Sequence, residues 1–294
     1  MKFAVNYSPT LGRLAREGRV VLDRFKCPAW PALIREAAAT LPVYIHFPLI
    51  VGRGLGAPLN SETGQAADLG ALEALMDETG TPYMNTHFYP TPASLGGADP
   101  DDLSPRARRR VIDAALLDLE PLVNRLGPEK VLVENLMAEP NLMRAAVLPE
   151  TISELAERAG CGLLFDLSHA RIAPETMGLD LVEYVRALPV EKMREAHVTG
   201  IQVLEGRWVE MMREWNDMLF SFESWLGKRI DHLPMVADDW AALGWLLGEI
   251  RAGRMAEPWV LAYECGGVGP FWEKVGEEAM YLEQIPRMRE MVIS

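Results

Sequence analysis

Short apolar runs rich in β-branched and aromatic residues recur along this chain, and helical periodicity fills the intervals between them. Strands are predicted at Phe3–Tyr7, Val43–Phe47, Tyr83–His87, Lys130–Glu134, Gly162–Asp166 and Glu195–Val198, near Leu233–Ala237, and at Trp259–Glu264. Apolar positions repeat near every 3.6 residues over Ala66–Gly80, Arg106–Leu126, Leu148–Ala159, Leu179–Leu188, Trp208–Leu226, Asp238–Ala252 and Phe271–Met291. Two of these helices run into Gly127-Pro128 and Gly160, where helices stop readily. Alternating strands and helices force parallel pairing, because each helix crosses back over the sheet. Eight such units close most naturally into an α/β fold of one kind, a single (β/α)8 TIM barrel, expected as one domain over residues 1–294. An open doubly wound sheet is the alternative.

Composition supports that reading. Hydrophobic residues make up 49% of the 294 positions, enough for a large core. No linker-like or low-complexity tract interrupts them. The helix Trp208–Leu226 carries an apolar stripe of Trp208, Met211, Met212, Trp215, Met218, Leu219, Phe222 and Trp225. Such a stripe suits core, a subunit contact, or a lid over a pocket in a long connection. Homo-oligomerisation stays open.

Charge narrows the partners. The formal net charge is −13, which repels phosphate backbones, so no nucleic-acid partner is expected. The basic run Arg106-Ala107-Arg108-Arg109-Arg110 reads as a solvated helix face. Cys27, Cys161 and Cys265 are far apart and form no CxxC pair, which argues against a disulfide framework. No apolar run approaches the roughly 18 residues that span a bilayer, so no membrane segment is expected and the cytoplasm is the simplest address.

The chemistry lies in position. His46 and His87 close predicted strands, His169 follows one in Asp166-Leu167-Ser168-His169, His197 sits in another, and His232 lies just ahead of the seventh. None is expected on a helix. Glu134, Asp166 and Glu264 also end strands, and Asp231 precedes His232. In a barrel the C-terminal strand ends build the active site. A lone strand histidine is usually a hydrogen-bonded core residue, but carboxylates crowded at one mouth repel each other unless cations neutralise them. Imidazole and carboxylate together suit Zn, Mn, Fe or Co.

These residues resemble, in order and strand position, the xylose isomerase-like barrel superfamily, which includes sugar isomerases and epimerases and the endonuclease IV group. The most specific piece is Asp166-x-x-His169, with Val133-Glu134-Asn135 before it and His197 after it. The resemblance implies a four-ligand core of Glu134, Asp166, His197 and Glu264. The endonuclease branch implies a three-metal cluster that adds His46, His87, His169 and an Asp-x-His piece. Here that piece is Asp231-His232 with no residue between, and adjacent strand residues face opposite ways, so only one of the two is expected to reach the cluster. Iron-dependent peptide-modifying barrels also resemble this layout, but they usually open with a glycine-rich segment that this chain does not show.

The expectation is therefore a divalent-metal enzyme holding one to three ions. With one ion, Glu134 and Glu264 would shuttle a proton between adjacent carbons of a small sugar-like substrate, as an isomerase or epimerase. Two or three ions would suit phosphoester hydrolysis or, with iron, oxidation. Gly266-Gly267-Val268-Gly269 would be a phosphate cradle or simply a tight turn. Arg53 is a candidate anion contact, and Lys26 a weaker one.

Overall fold

The computed structural model describes residues 1–215 and 222–294. Its strands are β1 (Lys2–Asn6), β2 (Arg24–Pro28), β3 (Val43–His46), β4 (Leu49–Val51), β5 (Leu59–Asn60) and β6 (Met84–Phe88). They continue with β7 (Val131–Glu134), β8 (Gly162–Asp166), β9 (Met193–Val198), β10 (Gly200–Val203), β11 (Arg229–Leu233) and β12 (Val260–Tyr263). The main sheet runs β3-β2-β1-β12-β9-β8-β7-β6-β4-β5, parallel throughout except for the short β4/β5 pair.

The two ends of that sheet are joined by the chain itself. β3 pairs with β2, the backbone bends at Phe47-Pro48, and β4 then pairs with β6. Proline has no N–H to give a ladder. At the bend Asn85 substitutes for the missing rung, its Oδ1 accepting the Phe47 N–H at 2.8 Å. One bent stave thus closes a TIM barrel whose apolar cluster extends from Phe3 to Met288.

Several elements differ from the pattern read in the sequence, two of them strands that frame the site. The second stave, β2, was not predicted, because Arg24-Phe25-Lys26-Cys27-Pro28 alternates charged and apolar residues. Buried parallel strands usually read as continuous apolar runs. The strand expected near Leu233–Ala237 lies earlier, as β11, and stands outside the barrel in an antiparallel pair with β10. Gly200 is required there, since a Cβ would lie 2.1 Å from the Pro234 carbonyl oxygen.

The helix predicted over Trp208–Leu226 is observed as Arg207–Trp215 and a 3-10 turn at Phe222–Trp225. Met218 and Leu219 of its stripe lie outside the described residues. Trp208 and Trp225 are buried, and Met211 and Met212 pack against the core. Among the described residues no helix is long and apolar enough to cross a membrane.

Candidate metal centre at the barrel mouth

Parallel pairing sets the floor of the site. Register places His87 beside Glu134 and Asp166 beside His197 on neighbouring strands, all at the same end of the barrel. His46 ends the first half of the bent stave, and Glu264 follows β12 directly. His169, expected off any helix, instead lies in the first turn of the helix Leu167–Met177. Asp166 caps that helix by accepting the His169 N–H at 2.8 Å. The capping bond fixes both residues toward the mouth.

Asp231 and His232 are unequal. The Asp231 carboxylate shares a donor group with Asp166 and His169, whereas His232 enters no such group. His232 has φ 60°, and among the described residues no other non-glycine residue has positive φ. A left-handed backbone at such a residue is a strained geometry of the kind that gathers at functional sites.

The donor atoms crowd together. His46 Nε2 lies 3.2 Å from His87 Nε2, which is 3.2 Å from Glu134 Oε2. His169 Nε2 is 3.0 Å from Asp231 Oδ2, and His197 Nδ1 is 3.2 Å from Glu264 Oε1. Four histidines have their outer nitrogen fixed from behind. His87 Nδ1 donates to the Leu49 carbonyl, His169 Nδ1 to that of Asn135, and His232 Nδ1 to that of Glu264; His197 Nε2 donates to Glu195. Since those partners accept, the proton sits on that nitrogen and, in the neutral ring, a lone pair faces the mouth.

Lone pairs facing carboxylates repel. Among the described residues His46 Nδ1, Glu134 Oε2, Asp166 Oδ2, His197 Nδ1 and Asp231 Oδ2 are buried and make no hydrogen bond. Burial pushes Glu134 up to about 8 and Glu195 up to about 7, and also raises Asp166. Burial lowers His87 to about 4 and holds His46 and His197 well below the ordinary range. His169 is raised: burial opposes its charge, but Asp166, Asp231 and Glu134 outweigh it. Burial would raise Asp231 too, yet His232 and His169 bring it below the usual carboxylate range.

A cation relieves this frustration. Ligands about 2.1 Å from one ion sit roughly 3.0–3.4 Å from each other, the spacing seen here. Donor atoms within 4.8 Å of one another form the groups His46/His87/Glu134, Glu134/Asp166/His197 and Asp166/His169/Asp231, chained through Glu134 and Asp166. A further group joins His46, Glu195 and His197. The residues therefore fit one or more metal ions. Glu264 falls in none of these groups, and its Oε1 forms an ion pair with Lys26. His232 falls in none either; its Nε2 is 3.8 Å from Asp231 Oδ2.

Sequence reasoning missed Glu195 and underrated Lys26. Glu195 stands two residues before His197, so strand periodicity puts both on one face, a signal that was available. Lys26 was hidden by the unpredicted strand.

A cleft of about 370 Å³ rises from the cluster, bounded by Lys26, Trp30, Glu62, Glu264, Gly267 and Trp272. Of the stripe, Trp208, Met211, Met212 and Trp225 do not line it. Gly266 serves a tight turn with φ 71°, where a Cβ would meet the Tyr281 hydroxyl at 2.7 Å. Arg53 lies outside the cleft lining, donating to Thr91 at 2.6 Å with its guanidinium 5.4 Å from the Tyr89 ring centre.

This fold and rim of histidines and carboxylates define a xylose isomerase-like TIM barrel. Two solved structures superpose over most of the chain: a D-psicose 3-epimerase with D-tagatose from Clostridium cellulolyticum H10, and a xylose isomerase-like TIM barrel/4-hydroxyphenylpyruvate dioxygenase fusion protein. The first has a TM-score of 0.52 at 10% identity and covers 100% of this chain and 98% of that one. The second has 0.51 at 17%, covering 98% and 44%. At such identities they speak for the fold alone.

Within that class the chain belongs to the family described as RiPP precursor modification enzyme MbnB/TglH/ChrH, whose profile matches residues 28–214. Among curated relatives, a UPF0276 protein of Chromobacterium violaceum is 28% identical over 186 residues, covering 61% of this chain and 62% of that one. Another, from Caulobacter sp., is 31% identical over 137 residues, covering 45% and 48%. The chain thus matches less than two thirds of the length of these relatives.

Proposed function

We propose that this protein is a multinuclear metal-dependent enzyme that modifies a ribosomally made precursor peptide, one segment of which enters the cleft. The observation that carries the reading is the chain of three donor groups sharing Glu134 and Asp166. The family supplies the peptide as substrate class. His46, His87, Glu134, Asp166, His169, His197 and Asp231 would hold the ions. When bound, such ions supply Lewis acidity or, if iron, redox chemistry.

The chain's own residues prepare that site. Asn135, Leu49 and Glu195 fix three imidazoles from behind, so each keeps one tautomer and one aim. Trp272, 5.4 Å from the His232 ring, and Trp30 wall the cleft and limit water. We also take residues 1–294 as one domain, since β1 and β12 from opposite ends of the chain pair in the barrel.

The isomerase reading needs only Glu134, Asp166, His197 and Glu264, with His46 and His87 free to hold substrate hydroxyls, and it leaves His169 and Asp231 without a task. Metal analysis of anaerobically purified protein separates the two. The proposal expects two to three equivalents per chain; about one equivalent would return the protein to the isomerase class.

A further inference from the structure

The three donor groups are unequal. His46 and His87 serve only the first of the chained positions, and His169 and Asp231 only the last. The middle position shares Glu134 and Asp166 with its neighbours, and its one remaining donor, His197, belongs also to the group with His46 and Glu195. Its natural additional ligand is Glu264, whose Oε1 lies 3.2 Å from His197 Nδ1. That same oxygen is paired with the Lys26 ammonium, and both side chains are buried, at 5% and 3% exposure.

We propose that Lys26 is a positioning residue, a resident cation that withholds Glu264 from the middle position. The middle position then binds its ion the most weakly of the three. The inference rests on the multinuclear reading. A buried ammonium cannot swing to solvent without abandoning its partner, and breaking a buried pair is costly. Burial lowers the Lys26 ammonium to about 8, and against that Glu195, Glu134, Asp166 and Asp231 favour its charge. Lys26 is held there by β2, in register with Tyr44 of β3, so backbone pairing rather than side-chain choice sets its place.

The test is Zn²⁺ titration of the metal-free full chain by calorimetry, with circular dichroism confirming the fold. Wild type should show two tight steps and a third about tenfold or more weaker. Lys26→Met should tighten that third step by about tenfold, and the gain should vanish in Lys26→Met/Glu264→Gln, because Glu264 is the ligand released. If Lys26→Met does not fold, Lys26→Gln takes its place in the same cycle. An isotherm unchanged by neutralising Lys26 overturns the inference. So does a gain that persists in the double variant, which would make Lys26 a mere distant charge. Both outcomes differ from failure of the multinuclear reading, in which wild type itself takes up fewer than two ions.

Discussion

Asp118 and Asp166 are both fully buried carboxylates, and their surroundings are opposite. Asp118, on the helix Pro105–Leu126, accepts the backbone N–H groups of Gly52, Arg53, Gly54, Leu55 and Gly56 at 2.6–3.0 Å. Positive φ at Gly52, Gly54 and Gly56 wraps that loop around the anion. Asp166 has one oxygen capping a helix and the other without a hydrogen-bonding partner, in a mouth of lone pairs. A carboxylate kept for structure is surrounded by donors. One kept for binding a cation is surrounded by other acceptors, and the apo fold tolerates the repulsion.

The comparison breaks most sharply by substitution. Asp118→Ala should destabilise the fold by about 3 kcal/mol, since one buried and four part-buried N–H groups lose their acceptor. Urea denaturation reads that loss, and the folded fraction should keep its Zn²⁺ stoichiometry. Asp166→Asn should do the reverse. The amide can still cap the helix, so metal-free stability should change by less than about 1 kcal/mol. Zn²⁺ affinity should fall by about a hundredfold or more, measured by competition with a chelating dye. If Asp166→Asn unfolded the chain while metal binding survived in Asp118→Ala at wild-type stability, the contrast would collapse.

A smaller effect is expected behind His197. Glu195→Gln keeps an acceptor for the Nε2 proton but removes the charge, and should weaken Zn²⁺ by about tenfold without changing stoichiometry. An equal loss of thermal stability with unaltered affinity would make Glu195 a packing residue only.

The smallest effect is in pH. Without metal, Glu134 keeps its proton up to about 8, and His169 is also raised, so both bind protons in the folded state that the unfolded chain has lost above about pH 6.5. Their stabilisation is present at lower pH and is lost as pH rises through the folded values. His46, His87 and His197 are neutral in the fold but about half-protonated in the unfolded chain at pH 6.5, so they oppose this slope there and drop out above about pH 7.5. Metal-free protein should therefore lose up to about 1.4 kcal/mol per pH unit for each raised group between about pH 7.5 and 8. The metal-loaded protein should gain, because ligands must be deprotonated. Parallel urea titrations with EDTA or Zn²⁺ would show the two slopes; equal slopes would remove the contrast.

How much of this was legible in the sequence follows from the same physics. The barrel and its ligand-bearing strand ends were readable, because apolar runs ending in His46, His87, Glu134 and Asp166 carry their own periodicity. Lys26 was hidden, since a buried lysine inside Arg24–Pro28 makes a core strand look amphipathic. The left-handed backbone at His232 is a feature no spacing rule foresees. The bent stave was likewise invisible, because its pairing changes partner at a proline that local pattern reads only as a break.

The central claim concerns where cations sit, and anomalous diffraction from crystals soaked in Zn²⁺ addresses it most directly. The account predicts peaks about 2.0–2.3 Å from His46, His87 and Glu134 and from Asp166, His169 and Asp231, with a weaker peak at Glu134, Asp166 and His197. Peaks confined to surface carboxylates, with the mouth histidines keeping their hydrogen bonds and no ion among them, would contradict it.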